Sequence, residues 1–139
     1  MRVMGYELTD SQLLNMATTE GRFRGGGVEG RSERAGIVRG YNYTFWPDTI
    51  RLLKRNGRVD EALALLLECI EAAERDGPLA GGQIAPWYTE AAAIIYRQQK
   101  EYAAEIAVLE RFEKASPRRY RGAFRARIAK ASVLRAAKG

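Results

Sequence analysis

A mainly α-helical chain, built by stacking helix pairs, is predicted by three features of the sequence. The first is an internal repeat: the apolar pairs Val59/Tyr102, Leu63/Ile106 and Leu66/Leu109 stand in register, each 43 residues apart. The second is helical spacing of apolar residues through most of 47–115, and the third is punctuation by Asn56-Gly57, Gly77-Pro78 and Ser116-Pro117. A repeat of this length signals stacked supersecondary units rather than a single pocketed core, and the punctuation marks where helices stop and start.

Along the chain, Thr9 is placed to cap a short helix carrying Leu13, Leu14, Met16 and Ala17, with Gln12 reaching back to the cap amide. That helix is expected to end near 19–21. Residues 21–40 hold seven glycines and read as a loop or loose hairpin, because ordering so much glycine costs backbone entropy that few apolar residues offset. The aromatic run Tyr41, Tyr43, Phe45 and Trp46 reads as a strand or a docked extended segment. Pro47 suits a first helical turn and Asn56-Gly57 closes that helix. The next helix, over about 59–76, is apolar on most faces and therefore buried between neighbours. Gly77-Pro78 is expected to stop it, with a loop over 79–85. Further helices are expected over about 86–99 and 101–114, and a last one from Ser116-Pro117 over 117–138. The domain division that follows is an N-terminal extension, 1–43, and a helical domain, 44–139.

Composition narrows the function. The chain of 139 residues is one domain's worth. It has no histidine and one cysteine, Cys69, which excludes a Ser-His-Asp or Cys-His catalytic arrangement and a Cys/His zinc site. A non-enzymatic protein without cofactor is the expectation. Residues 1–16 carry Glu7 and Asp10 where a signal peptide needs an apolar run, and no apolar stretch is long enough to span a bilayer, so a cytoplasmic protein with no membrane partner is expected. The net charge of +6 is uneven. Residues 47–117 hold nine basic and twelve acidic side chains, whereas 118–139 hold eight basic and none acidic.

The run Tyr96, Tyr102, Ile106, Leu109 and Pro117, with Leu53, Gly57, Val59, Ala62, Leu63 and Leu66 in the first copy, resembles tetratricopeptide repeats, covering roughly half the chain. It is similar to single-module regions of that kind in small bacterial proteins of unassigned function. The resemblance implies a stack of antiparallel helix pairs, closed by a basic capping helix, that binds protein segments rather than catalysing a reaction. The second copy departs from the pattern with Lys100 where glycine is usual and Glu105 where alanine is usual. A carboxylate there is expected to splay the second pair or to face a polar groove.

Four groups of residues are candidates for function. A groove lined by Trp46, Arg51, Trp87, Glu90, Arg97 and Glu105 is the candidate protein-binding surface, although aromatics at helical spacing are more often core. The tail cations Arg118, Arg119, Arg121, Arg125, Arg127 and Lys130 are candidates for nucleic acid or an acidic partner, with Tyr120, Phe124, Ile128, Ala131 and Leu134 forming a stripe that docks on the preceding helix. A solenoid cap explains that stripe without any ligand. Arg22, Arg24, Arg31, Arg34 and Arg39 lie among glycines as anion candidates, set against a solvated loop. The stretch 25–32 nearly matches a phosphate-binding loop but lacks its flanking strand and helix, and reads as a glycine-rich loop. Lastly, Glu71/Glu74 and Glu110/Glu113 read as solvated helix faces. The leading expectation is an adaptor that binds a protein partner. The alternative is a nucleic-acid-binding protein using the tail and arginine loop. Two repeats fall short of the usual three, so the N-terminal segment or a second copy of the chain must cover an exposed face.

Overall fold

The computed structural model describes residues 2–3, 6–18, 34–80 and 82–138, in two compact units, Met1–Ala72 and Ala73–Gly139. Arg22, Arg24, Arg31 and the stretch 25–32 lie outside the described residues. The structure is mainly α-helical, with six α-helices and two short antiparallel hairpins among the described residues.

In the first unit, strands β1 (Arg2–Val3) and β2 (Tyr6–Glu7) pair with Val3 opposite Tyr6. Helix α1 (Asp10–Thr18) starts as its sequence predicts: Thr9 Oγ1 accepts from the Gln12 amide at 3.1 Å, and the Thr9 amide donates to Gln12 Oε1 at 2.9 Å. Its buried residues are Leu13 and Ala17, and it packs on α2 (Pro47–Arg55). Strands β3 (Ile37–Val38) and β4 (Tyr41–Asn42) form a hairpin whose two central residues, Arg39 and Gly40, have φ of 51° and 90°. Positive φ at both is what a tight type I′ hairpin turn requires.

Arg39, one of the loop arginines, is engaged by a carboxylate of the chain itself. Its guanidinium grips the Glu68 carboxylate, with Nε 3.1 Å from each oxygen, and donates to the Ala17 carbonyl. One side chain thus ties the hairpin to α1 and to α3 (Val59–Ala80). Trp46 lies beneath, with no exposed surface, donating its indole N–H to the Val38 carbonyl at 2.9 Å and meeting Phe45 edge-on at 4.9 Å. The aromatic run is extended only over Tyr41–Asn42. The Asn42 side chain accepts from the Thr44 amide and turns Tyr43–Phe45 into a 3₁₀ turn leading to Pro47.

The repeat is written into the backbone hydrogen bonds. After α2, the Gly57 amide donates to the Lys54 carbonyl and the Arg58 amide to that of Leu53. After α4 (Trp87–Gln98), the Lys100 amide donates to Arg97 and the Glu101 amide to Tyr96, each 43 residues on. Both pairs are Schellman closures, with Gly57 (φ 74°) and Lys100 (φ 59°) as the left-handed residue. Beyond them, α3 and α5 (Tyr102–Ala115) bury Leu66 and Leu109 at matching positions.

Two boundaries differ from the sequence reading. Helix α3 runs through Gly77 and Pro78 to Ala80 instead of ending at 76. Gly77 serves packing: a Cβ there would come within 3.2 Å of the Gln83 carbonyl oxygen and of Ile84, so the returning chain lies against the helix and its Gly82 amide donates to the Gly77 carbonyl. The last helix, α6 (Arg125–Lys138), starts eight residues after Pro117. Ser116, expected to cap it, turns its hydroxyl back to the Phe112 carbonyl at 2.6 Å, and a 3₁₀ turn follows at Arg118–Tyr120. The Glu113 carboxylate then accepts from the amides of Gly122 and Phe124, holding the chain in a turn until Phe124 has packed edge-on against Phe112 at 4.9 Å. Glu113 is therefore half-buried and structural rather than part of a solvated face. In the second unit α4 packs on α5 and α5 on α6, with Ile95, Leu109, Phe112, Phe124 and Ala131 in its core.

Gly57→Ala should lower stability by about 1 kcal/mol without altering the fold, because an added Cβ meets no atom within 4 Å and the cost is the left-handed backbone alone. Urea unfolding measures it. Cys69 is fully buried in α3, and burial, reinforced by the neighbouring Glu68 charge and only partly opposed by Arg39, pushes its thiol up from 9.0 to about 12. A thiol reagent at pH 8 should label it no faster than the protein unfolds. The unfolded thiolate forms near pH 9 and the native one near 12, so this group's contribution to stability should fall as pH rises between those values. Prompt labelling of the native protein would contradict the burial.

Candidate interaction surface

Three of the predicted groove residues meet, with one tail arginine, inside the second unit. Glu105 occupies on α5 the position that Ala62 occupies on α3, and like Ala62 it has no exposed surface. A bare carboxylate there would be strongly destabilising. Arg97, on the last turn of α4, neutralises it: Nε donates to Glu105 Oε1 at 3.2 Å, and Nη2 lies 2.7 Å from Oε2. The second contact supplies charge without an aligned hydrogen bond, leaving Oε2 the poorer satisfied oxygen. Nη2 also donates to the Arg127 carbonyl on α6 at 3.3 Å, and the Arg127 guanidinium reaches back to Glu90 on α4 at 3.1 Å. Glu90, Arg97, Glu105 and Arg127 thus form one chain of charges joining α4, α5 and α6. The second pair stays packed instead of splaying, and Glu105 faces Arg97 rather than an open polar groove.

The other groove candidates lie elsewhere. Trp46 is core of the first unit, and Arg51 is exposed there, paired with Asp48 at 3.0 Å. In the second unit Trp87 is half-buried and meets Tyr88 edge-on at 5.1 Å. Of the loop arginines, Arg34 is described and exposed.

The tail separates into two faces. Phe124 and Ala131 are buried, and Tyr120, Ile128 and Leu134 are half-buried, so the predicted apolar stripe is the docked side. Arg118, Arg119, Arg121, Arg125 and Lys130 are exposed, Arg119 lying 4.8 Å from the centre of the Tyr120 ring and Arg121 donating to the Ser116 carbonyl at 3.1 Å. Arg127 belongs to the internal chain instead. Guanidinium groups displayed on the turn before α6 and on its first turn can hold carboxylates or phosphates by charge-assisted, often bidentate, hydrogen bonds. Sequence reasoning did not place Lys100, Arg135 and Lys138 in one site, since they approach only when the end of α6 returns beside the α4–α5 turn. The positive φ at Lys100, readable from its alignment with Gly57, is the signal that marks that turn.

Among the described residues no helix is long and apolar enough to cross a membrane. No family model, curated protein or solved structure matches the chain.

Replacing Arg97 by Met should cost about 3 kcal/mol or more, because Glu105 then stays buried without a partner. Replacing both, Arg97→Met with Glu105→Met, should recover most of that loss. Denaturant unfolding of the single and double variants closes the cycle. Additive losses would show that the two groups do not depend on each other.

Proposed function

We propose that this chain is a small non-enzymatic adaptor: a tetratricopeptide-like helical module whose basic C-terminal surface holds an acidic segment of a protein partner. The twin Schellman closures, two amide–carbonyl bonds repeated at an interval of 43 residues, support the repeat-like reading. The observation that carries the function is the sorting of the tail. Its apolar stripe and Arg127 are spent inside the second unit, while Arg118 and Arg119 stand exposed on the 3₁₀ turn before α6 and Arg125 and Lys130 on α6 itself, which packs on α5. Positive charge held outward in this way favours a negatively charged partner by steering and by surface pairing. The groove first expected is weakened as a binding surface, because Trp46 is buried and Glu90, Arg97 and Glu105 already pair internally.

A second reading, nucleic-acid binding, draws on the same cations: residues 118–139 carry eight basic side chains and no acid. The two readings separate in one assay. A fluorescent 20-residue Asp/Glu-rich peptide should bind at low salt and weaken as salt rises, and changing Arg118, Arg119, Arg125 and Lys130 to Glu should cut its affinity by more than about tenfold with the circular dichroism unchanged. Unchanged peptide affinity in that variant would sink the adaptor surface. Tighter binding of mixed-sequence single- or double-stranded DNA, with a steep salt slope, would move the assignment to nucleic acid.

A further inference from the structure

Lys100 holds a backbone conformation that suits glycine. At the matching turn of the first copy the chain uses Gly57, with φ 74°, where Lys100 has φ 59°. Both close their helices by the same two hydrogen bonds, so the turn itself does not call for a lysine. A side chain at such a position is strained, and strain of this kind directs attention to what the side chain does.

What surrounds Lys100 is an open cleft of about 290 Å³, lined also by Glu101, Tyr102, Ala103, Arg135 and Lys138. The end of α6 forms one wall. The Lys138 ammonium donates to the Lys100 carbonyl at 2.8 Å and lies 5.9 Å from the centre of the Tyr102 ring, which anchors it at the rim. Three cations against one carboxylate leave two positive charges around the cleft. We propose that this cleft is a binding site for a phosphate monoester, held by Lys100, Arg135 and Lys138. A monoester carries close to two negative charges at neutral pH and three acceptor oxygens, which matches the charge and the donors present; a carboxylate carries one charge and two oxygens. A polynucleotide fits less well, since the cleft gathers donors for one phosphate group and the exposed carboxylate of Glu101 stands among its lining residues. A single phosphate needs only the cleft. The site uses none of the tail residues assigned above to the acidic partner, so it stands or falls apart from that assignment.

The test exploits the opposite demands of backbone and ligand on residue 100. The full chain is titrated at low ionic strength with inorganic phosphate, with glycerol 3-phosphate and with a phosphoserine tripeptide, followed by amide chemical shifts. Saturable shifts confined to the α4–α5 turn and the last turn of α6 are expected, weakening as pH falls below about 6, where the phosphate loses its second charge. Lys100→Gly should raise the melting temperature by ~3 °C while weakening phosphate binding about tenfold, and Lys138→Gln should also weaken it. Tighter binding of the peptide identifies a phosphorylated protein segment as the source, and tighter binding of glycerol 3-phosphate identifies a small phosphorylated metabolite; both support the site. Unsaturable shifts spread over the whole basic tail, or an unchanged affinity in Lys100→Gly, would overturn it. So would a single-stranded DNA 20-mer that binds more tightly than every monoester and is weakened by the same two variants.

Discussion

A carboxylate with no exposed surface organises the second unit. Glu105 sits where the first copy of the repeat places the methyl group of Ala62. Burying a charge at that position obliges α4 to present a cation, and Arg97 does so from its last turn. Once there, the Arg97 guanidinium has a hydrogen left for the Arg127 carbonyl, and Arg127 turns its own charge to Glu90. The first link is buried at Glu105, whereas the last, between Arg127 and Glu90, is open to solvent. The result is that α6 is fastened to the hairpin by polar contacts in addition to Phe124 and Ala131. A buried pair of this kind is a weak source of net stability, because desolvation offsets most of the attraction. Its effect here is on which helix docks and in what rotation.

That rotation separates the two faces of the tail. With the apolar stripe and Arg127 inward, the exposed cations Arg125 and Lys130 are held outward on α6, and Arg118 and Arg119 stand exposed on the 3₁₀ turn that precedes it. Pre-organised charge loses less side-chain and backbone freedom on binding than the same charges on a free chain. The first unit solves a similar problem with different means. There Arg39, in a left-handed turn residue, fastens the β3–β4 hairpin to Glu68 and to the end of α1.

Much of the fold was legible because local chemistry set it. The Thr9–Gln12 capping box, the Asn56-Gly57 closure and the apolar stripe of the tail are short-range signals, and the structure keeps each of them. The repeat was legible because matching apolar positions recur at one interval. Boundaries that depend on distant contacts were not legible. Nothing near Pro78 announces that Ile84 returns over Gly77 and sustains another turn of helix, and nothing near Ser116 announces that Glu113 captures two amides of the following turn. The candidate surface divides along the same line. Sequence reading picked Glu90, Arg97, Glu105 and Arg127 out as charged residues of interest, but only the packing of α4, α5 and α6 reveals that they satisfy one another. Trp46 escapes sequence reading for the complementary reason: an aromatic in an extended run looks alike whether it lines a groove or, as here, lies under a hairpin.

The most direct test of this account is native-state amide hydrogen exchange in Arg97→Met. With Glu105 left unpartnered and the Arg127 carbonyl without its donor, α6 should lose protection well before α2 does, opening locally while the first unit keeps its slow amides. Protection of α6 that matches the wild-type protein would contradict the claim that this buried pair fastens the basic helix.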